Sequence, residues 1–294
     1  MKIVLLGAQG QVGHELSRTL LPLGPICALR RADADLGDLA ALAKRVSDEK
    51  PDLIVNAAAW TAVDRAESDE ATAHRVNADA VEVLARIARE RGALLVHYST
   101  DYVFDGSGSR PWRETDPTGP HSAYGRTKLA GEAAIAASGC QALVFRTSWV
   151  HGTHGGNFVR TMLRLAAERE SLSVVADQIG APTSAELIAD VTALAVAAWR
   201  QGRIEPGLYH LAAAGETSWH GLATHAIERA RRMGHTVRVD AGAIRAIGTS
   251  DYPTPARRPA NSRLDCAKLS TALGLDLPDW TVHVDRTVDR LVQQ

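Results

Sequence analysis

The residues of this chain best suited to chemistry are a tyrosine and a lysine, Tyr124 and Lys128, in a stretch with helical spacing. On a helix, residues four positions apart share one face, with Cβ atoms about 5–6 Å apart. An ammonium group beside a phenol favours the phenolate, so we expect the pKa of Tyr124 to lie below its usual value of about 10. Such a phenol can donate or accept a proton near neutral pH. An exposed aromatic residue beside a solvated lysine is the alternative.

A hydroxyl group that could assist this pair follows an apolar run at residues 93–98, which reads as a buried strand. The run leads into Ser99-Thr100-Asp101. In a parallel sheet, ligands bind at the carboxyl ends of the strands. We therefore predict that Thr100 hydrogen-bonds a substrate carbonyl, that Tyr124 is the acid and that Lys128 tunes it.

A glycine-rich turn near the N-terminus predicts a dinucleotide site. Gly7, Gly10 and Gly13 follow an apolar strand and open a helix, which allows a tight turn and close approach of the backbone to a pyrophosphate. The free N–H groups of the helix N-terminus attract phosphates, and Gln11 and Val12 belong to the same loop. A plain strand-to-helix turn is the alternative.

The end of the second apolar run bears on the choice between NADH and NADPH. An acidic residue at this position binds the ribose 2′-hydroxyl of NAD, but this chain has Arg30 and Arg31. A guanidinium matches a 2′-phosphate, so we predict a preference for NADPH with Arg30 as a contact. Asp33 or Asp35 could reach the ribose and allow some use of NADH. A pair of solvated arginines is the alternative.

The elements that must position these residues alternate along the chain. Uniformly apolar strands followed by helices predict an α/β fold with a doubly wound, Rossmann-like parallel sheet. We assign residues 1–150 to a dinucleotide-binding core, to which a segment at about 177–220 returns, and residues 151–294 mostly to a smaller C-terminal substrate-binding lobe. The expected strands are 3–6, 26–29, 53–55, 93–98, 143–146, 172–175 and 208–211. The expected helices are 11–21, 38–48, 66–91, 122–137, 157–169, 185–199 and 218–233, and residues 249–263 are expected to be irregular.

The composition excludes several classes of protein. With 294 residues and a net charge of −1, the chain lacks the basic surface that nucleic acids or anionic membranes attract. Three dispersed cysteines, Cys27, Cys140 and Cys266, favour neither a disulfide framework nor a zinc site. The short apolar run at the N-terminus is unlike a signal peptide, so we expect a cytoplasmic protein.

Taken together, the glycine triplet, the Ser-Thr-Asp strand end and the Tyr-x-x-x-Lys pair resemble the extended short-chain dehydrogenase/reductase superfamily. Longer stretches are similar, over essentially the whole chain, to the dTDP-4-dehydrorhamnose reductase family. These stretches are residues 55–67, 98–104, 124–132, 145–150, 177–183 and 252–262.

The resemblance implies NADPH-dependent reduction of dTDP-4-dehydro-6-deoxy-L-mannose at C4 to dTDP-L-rhamnose, the last step in making this sugar nucleotide for cell-surface polysaccharide such as the O-antigen of lipopolysaccharide. Lys128 would also hold the nicotinamide ribose. Further cofactor contacts implied by the resemblance are Asp35, Leu36, Ala59, Trp60, Thr61 and Tyr98, and the implied substrate contacts are Thr100, Asp101 and Trp149.

Two arginines and one asparagine complete the predicted site. Arg257 and Arg258, among prolines, suit a diphosphate because its charge calls for forked guanidinium donors. A solvated arginine pair is the alternative. Asn77 lies inside a helical pattern, where it either kinks the helix or holds a water near Lys128; a local contact with the helix backbone is equally consistent.

Other functions stay open at this point. A reductase that forms the C4 epimer, a dTDP-6-deoxy-L-talose, would carry the same motifs. A non-catalytic regulatory subunit of the methionine adenosyltransferase type would share the fold, although an intact Thr100, Tyr124 and Lys128 favour catalysis. The resemblance also allows a homodimer with Mg²⁺ between carboxylates. Glu186 is the candidate ligand, but a single carboxylate on a helix is usually solvated, so Mg²⁺ stays possible and we commit to no metal site.

Overall fold

The computed structural model describes residues 1–293, so Gln294, the last residue of the predicted lobe, lies outside it. Its strands are β1 (Ile3–Leu6), β2 (Ile26–Leu29), β3 (Leu53–Asn56), β4 (Leu94–Thr100), β5 (Ala142–Thr147), β6 (Val150–His151), β7 (Leu172–Val175), β8 (Ile179–Gly180), β9 (Thr183–Ser184), β10 (Gly207–His210), β11 (Thr217–Ser218), β12 (Ile244–Ile247) and β13 (Asn261–Ser262). Its helices are α1 (Gln11–Thr19), α2 (Leu39–Asp48), α3 (Val63–Ala66), α4 (Glu70–His74), α5 (Ala80–Arg91), α6 (Ala123–Ser138), α7 (Phe158–Glu168), α8 (Ala185–Arg200), α9 (Trp219–Arg232), α10 (Ala267–Leu273) and α11 (Trp280–Val292).

The central sheet is parallel and has the strand order β10-β5-β4-β3-β1-β2. This confirms the predicted doubly wound α/β fold. The order reverses between β1 and β3, because β2 lies on one side of β1 and all later strands of the sheet lie on the other. Such a reversal leaves a crevice at the carboxyl ends of the strands, where ligands bind in this class of sheet.

Helices cover both faces of this sheet, which explains why its strands are apolar throughout. Ile3 and Leu5 of β1 point into a core formed with α1 and α8, whereas Val4 and Leu6 point into a second core with α2 and α5. All four side chains are fully buried. Each apolar residue of the strand therefore stabilises one of two layers.

The predicted single helix at residues 66–91 is wrong in detail, since the chain forms α3, α4, a π-helical stretch at Arg75–Asp79 and α5. Asp69 begins α4 by accepting a hydrogen bond from the N–H of Thr72 at 3.3 Å. The π-helical stretch contains Asn77, so the predicted kink at this residue has a structural counterpart. Extra turns of this kind often lie at functional sites.

The second half of the chain adds α7 and α9 around the two-stranded sheet β7–β12, and α11 packs against α9. The predicted strand near residue 208 is confirmed as β10, which returns to the edge of the central sheet beside β5. We made no prediction for β12, α10 and α11. The division into a core and a lobe stays a prediction. Within residues 1–293, no helix is long and apolar enough to cross a membrane.

Candidate active site

A cleft of about 750 Å³ opens at the carboxyl ends of the central strands. Its volume lies in the range of cofactor and substrate sites, about 300–1,000 Å³. Most of the residues predicted for cofactor, substrate and catalysis line it. They are Gly7, Gly10, Gln11, Val12, Asp35, Leu36, Ala59, Trp60, Thr61, Tyr98, Thr100, Asp101, Tyr124, Lys128 and Trp149.

The glycine loop has the shape of a phosphate cradle. Gly7 has a φ of +76°, and a Cβ atom there would lie 2.7 Å from the backbone nitrogen of Ala58. At Gly13 a Cβ atom would lie 2.1 Å from the carbonyl oxygen of Gly7, so this glycine lets α1 approach the loop. Gly10 precedes α1 without a side-chain cap, which leaves N–H groups at the helix N-terminus for a ligand. The loop therefore fits the pyrophosphate of a dinucleotide.

The two arginines after β2 differ in position. Arg30 bonds to Asp33 through its Nε atom at 2.9 Å, and it is not among the residues that line the cleft. Arg31 does line the cleft, and its Nε atom lies 3.3 Å from a carboxylate oxygen of Asp35. In this structure a local ion pair holds the exposed Arg30 side chain at Asp33, and its contact with the cofactor stays a prediction.

Thr100, at the end of β4, lies beside Tyr124 at the start of α6. The Thr100 hydroxyl donates to Oδ1 of Asp101 at 3.1 Å and accepts from the N–H of Tyr102 at 3.2 Å. Its single proton is thus directed at Asp101, and it must turn toward a substrate oxygen to polarise it. The Tyr124 ring packs edge-on against Tyr102, with centroids 5.5 Å apart.

The expected tuning of Tyr124 by Lys128 is wrong for the structure as it stands. Burial raises the pKa of Tyr124, the charge of Asp101 raises it further, and a hydrogen bond with Thr100 only partly offsets both. Lys128 does not lower it, because its Nζ atom bonds to the carbonyl oxygen of Tyr98 at 2.7 Å and to Nε2 of His97 at 3.1 Å. Tyr124 therefore stays protonated at neutral pH, which is the state that a proton donor needs.

Two other buried groups of the cleft titrate close to neutrality. Burial lowers the pKa of Lys128 to about 8, although the charge of Glu132 acts in the opposite direction. Burial also raises the pKa of Asp101 to about 6, against hydrogen bonds from Ser262 and Thr100. The Oδ2 atom of Asp101 is buried and has no hydrogen-bond partner within residues 1–293, so it is open to a ligand.

Asn77 supports the wall of the cleft through its side chain. Its Oδ1 atom accepts from the N–H of Trp60 at 2.9 Å, and its Nδ2 atom donates to the Trp60 carbonyl at 3.1 Å and to Oγ1 of Thr127 at 3.1 Å. These bonds fix the cofactor-side segment at Trp60 against α6. The contact is therefore a long-range one, and the water near Lys128 stays a prediction.

Trp149 has a strained backbone and a stacked partner that the sequence did not reveal. Its φ of +49° is uncommon for a large side chain, and such strain persists only where the surroundings enforce it. The indole of Trp219 stacks on it at a centroid distance of 3.6 Å. Trp219 is held in turn by a 3.0 Å hydrogen bond from its Nε1 atom to Gln178. Only aromatic character marked Trp219 in the sequence.

Arg257 and Arg258 line a smaller pocket that shares Tyr102 with the main cleft. Arg258 donates to Asp64 at 2.7 Å, and the same carboxylate accepts from the N–H of Ala256 at 3.2 Å. Asp64 therefore anchors the arginine loop to the start of α3. The Nη1 atom of Arg258 is buried without a partner in the described part of the chain, which leaves a donor for an anion.

Glu186 does not fit the role of a metal ligand. Its carboxylate accepts from Arg286 at 2.6 Å and from Arg290 at 3.2 Å, so two guanidinium groups already neutralise it. Among residues 1–293 no group of three or more His, Cys, Asp or Glu side chains could hold a metal ion.

Comparison with protein families gives one match over almost the whole chain, to the RmlD substrate binding domain, at residues 1–293. The chain is 52% identical over 298 residues to a dTDP-4-dehydrorhamnose reductase of Burkholderia thailandensis, with 100% of both chains covered.

Solved structures give the same picture. The chain matches a dTDP-4-dehydrorhamnose reductase of Clostridium acetobutylicum with a TM-score of 0.90 and 34% identity, covering 100% of each chain. It matches the Bacillus anthracis reductase, solved in complex with NADP, with a TM-score of 0.87 and 31% identity, covering 97% of this chain and 98% of the other.

Proposed function

The chain belongs to the dTDP-4-dehydrorhamnose reductase family of NAD(P)H-dependent oxidoreductases, and we propose that Thr100, Tyr124 and Lys128 carry its reaction. The reaction is reduction of the C4 ketone of dTDP-4-dehydro-6-deoxy-L-mannose to dTDP-L-rhamnose. One observation carries the assignment of residues: the three side chains line one cleft together with the glycine loop.

NADPH held at the glycine loop, with Gly7, Gly10 and Val12 in the cleft wall, would supply the hydride for C4 of the sugar. Tyr124 donates its phenolic proton to the oxygen that becomes negative as the hydride arrives. Because its pKa is raised, Tyr124 keeps this proton until negative charge develops on the substrate oxygen. The Thr100 hydroxyl turns from Asp101 to the same oxygen. Donors placed where charge appears in the transition state stabilise it more than the ground state.

The preference for NADPH is proposed from Arg31 rather than Arg30. The Arg31 side chain lines the cleft beside Asp35 and Leu36, where the adenosine end of a cofactor would lie if its pyrophosphate occupies the glycine loop. A guanidinium binds a 2′-phosphate through charge-assisted hydrogen bonds. The NADP complex of the Bacillus anthracis relative supports this choice.

The substrate is a dTDP-sugar, and we propose that its sugar lies against Trp149 and Asp101 with its diphosphate near Arg257 and Arg258. The unpartnered atoms of Asp101 and Arg258 support this placement, because each is buried and free to bond to a ligand. In this proposal, Trp149 and Asp101 contact the sugar, and the two arginines contact the diphosphate of the same substrate.

The assay supplies the 4-keto sugar nucleotide and NADPH to purified protein and follows the loss of NADPH absorbance. The product is then identified by its stereochemistry at C4. Formation of dTDP-L-rhamnose supports the assignment, and a 6-deoxy-L-talose product would show that the ketone presents its other face. A protein that binds NADPH but oxidises none with this substrate would refute the catalytic role.

A further inference from the structure

A buried chain of hydrogen bonds runs behind the cleft, from Asn56 through His97 to Lys128. The Nδ2 atom of Asn56 lies 3.2 Å from Nδ1 of His97, and Nε2 of His97 lies 3.1 Å from Nζ of Lys128. All three residues are 1% exposed. Neither Asn56 nor His97 has a part in the reaction described above.

The number of protons shared among these hydrogen bonds determines whether the Lys128 amine can be charged. Burial holds the pKa of His97 well below its usual value, so its ring is neutral and carries one N–H. Oδ1 of Asn56 accepts from the N–H of Ala58 at 3.2 Å, which turns Nδ2 toward the ring. Nδ1 must then accept, the ring proton lies on Nε2, and Nε2–H can only donate to an uncharged Lys128 amine.

A charged Lys128 requires the opposite arrangement. The ammonium donates to Nε2, the ring proton moves to Nδ1, and Nδ1–H needs an acceptor on Asn56. The amide must then turn over, which places its NH2 group against the N–H of Ala58 and breaks that hydrogen bond. Charging Lys128 in this way takes up one proton from solvent. The proton that leaves Nε2 of His97 binds to Nζ, and the proton from solvent binds to Nδ1.

We infer that His97 is a positioning residue that fixes Lys128 at the cofactor cleft and couples the charge of this amine to the side-chain amide of Asn56. The coupling reaches the cofactor because Ala58, whose N–H the amide binds or releases, lines the cleft beside the glycine loop. The inference rests on the proposed function only for the contact of Lys128 with the cofactor.

Other titratable groups surround Lys128, but none replaces the ring as its partner. Tyr98 on β4, Asp101 after it and Tyr124 on α6 line the same cleft. Glu132 on α6 favours the charged amine, but it is paired with Arg146 on β5 at 2.6 Å. The only hydrogen bonds of Nζ within residues 1–293 are those to His97 and to the Tyr98 carbonyl.

The test is long-range ¹H–¹⁵N NMR of histidine-labelled protein from pH 6.5 to 9.5, with the His97 ring identified by its loss in His97→Gln. We expect the ring to stay neutral and to change from the Nδ1–H to the Nε2–H tautomer, with a midpoint near pH 8. Asn56→Asp offers only acceptors and should lock the Nδ1–H tautomer across this range. A single tautomer in the unmodified protein, or a switch that survives in Asn56→Asp, would overturn the inference.

Kinetics give a second readout. In Asn56→Asp the alkaline limb of kcat/KM for NADPH should move up by at least one pH unit, because Lys128 keeps its charge. His210→Gln is the matched control, since His210 is fully buried on β10 and bonds to the Trp112 carbonyl instead; it should leave the limb in place. An unmoved limb in Asn56→Asp contradicts the inference. A tautomer switch without sugar-nucleotide turnover would refute the proposed reaction and leave the inference standing.

Discussion

Replacement of Tyr124 by phenylalanine isolates the proton donor from the rest of the site. The ring keeps its edge-on packing against Tyr102, because that contact involves carbon atoms. The Thr100 hydroxyl keeps its bonds to Asp101 and to the Tyr102 N–H. One hydroxyl group and its hydrogen bond with Thr100 are lost, so we expect the free energy of unfolding to fall by about 0.5–1.5 kcal/mol.

The effect on catalysis should be far larger. A positioned general acid contributes about 100-fold to 10⁴-fold in rate. We therefore expect kcat to fall by at least about 100-fold, which corresponds to about 2.7 kcal/mol of transition-state stabilisation. The affinity for NADPH should change less than about threefold, because the phenolic proton acts on the substrate oxygen. Residual turnover would come from the Thr100 hydroxyl, and Thr100→Val in the same chain should reduce it further.

Stopped-flow measurement of a single turnover with the 4-keto sugar nucleotide separates chemistry from product release. A solvent isotope effect on this step in the unmodified enzyme would agree with proton donation in the transition state. If Tyr124→Phe keeps more than about a third of the single-turnover rate, Tyr124 is not the acid and the geometric argument fails.

Three further predictions follow from contacts around the cleft. Arg31→Ala should raise KM for NADPH by about tenfold and leave KM for NADH unchanged, whereas Arg30→Ala, the matched control, should alter neither by more than about twofold; equal effects of both changes would remove the case for Arg31. Asp64→Asn should raise KM for the dTDP-sugar by about tenfold with a smaller effect on kcat, because it weakens the anchor of Arg258; an unchanged KM contradicts that role. Trp219→Ala should raise the same KM and alter near-ultraviolet circular dichroism through loss of the indole stack, while Trp219→Phe should restore most of the affinity; an unaltered KM in both variants would show that the stack does not serve substrate binding.

Local pattern was enough to predict the central sheet and the glycine loop. The uniformly apolar run of β1 indicates a buried strand, and the glycines after it indicate a tight turn, by residue type and spacing alone. The helix predicted at residues 122–137 is confirmed as α6, and the structure shows that Ser122 begins it, because its side chain accepts from the N–H of Gly125 at 3.1 Å. The four-residue spacing of Tyr124 and Lys128, together with the glycine loop and the Ser-Thr-Asp strand end, predicted that they share one cleft, and both residues line it.

Features that depend on contacts between residues far apart in the sequence could not be predicted from local pattern. The direction of Lys128 depends on His97, which comes from a neighbouring strand and carries no motif of its own. The sequence does not show whether the guanidinium of Arg30 pairs with Asp33 or points into the cleft. The sequence predicts a kink at Asn77 but not its hydrogen bond from Trp60, a partner seventeen residues away. Each of these outcomes is decided by the packed protein rather than by residue type.

The return of β10 to the edge of the central sheet has a consequence for how the chain folds. Until residues 207–210 are made and reach the sheet, β5 presents an unpaired edge, and such edges template aggregation. The connection from β5 to β10 is about ten times longer than a usual link between a strand and a helix. Closing it costs about 2 kcal/mol more in chain entropy than closing such a link. During synthesis on the ribosome, the edge of β5 therefore stays unpaired until the segment between β5 and β10 has been made. A fragment that ends at residue 150 should thus express poorly and associate through β5, even though it contains the whole glycine loop and the Tyr-Lys pair.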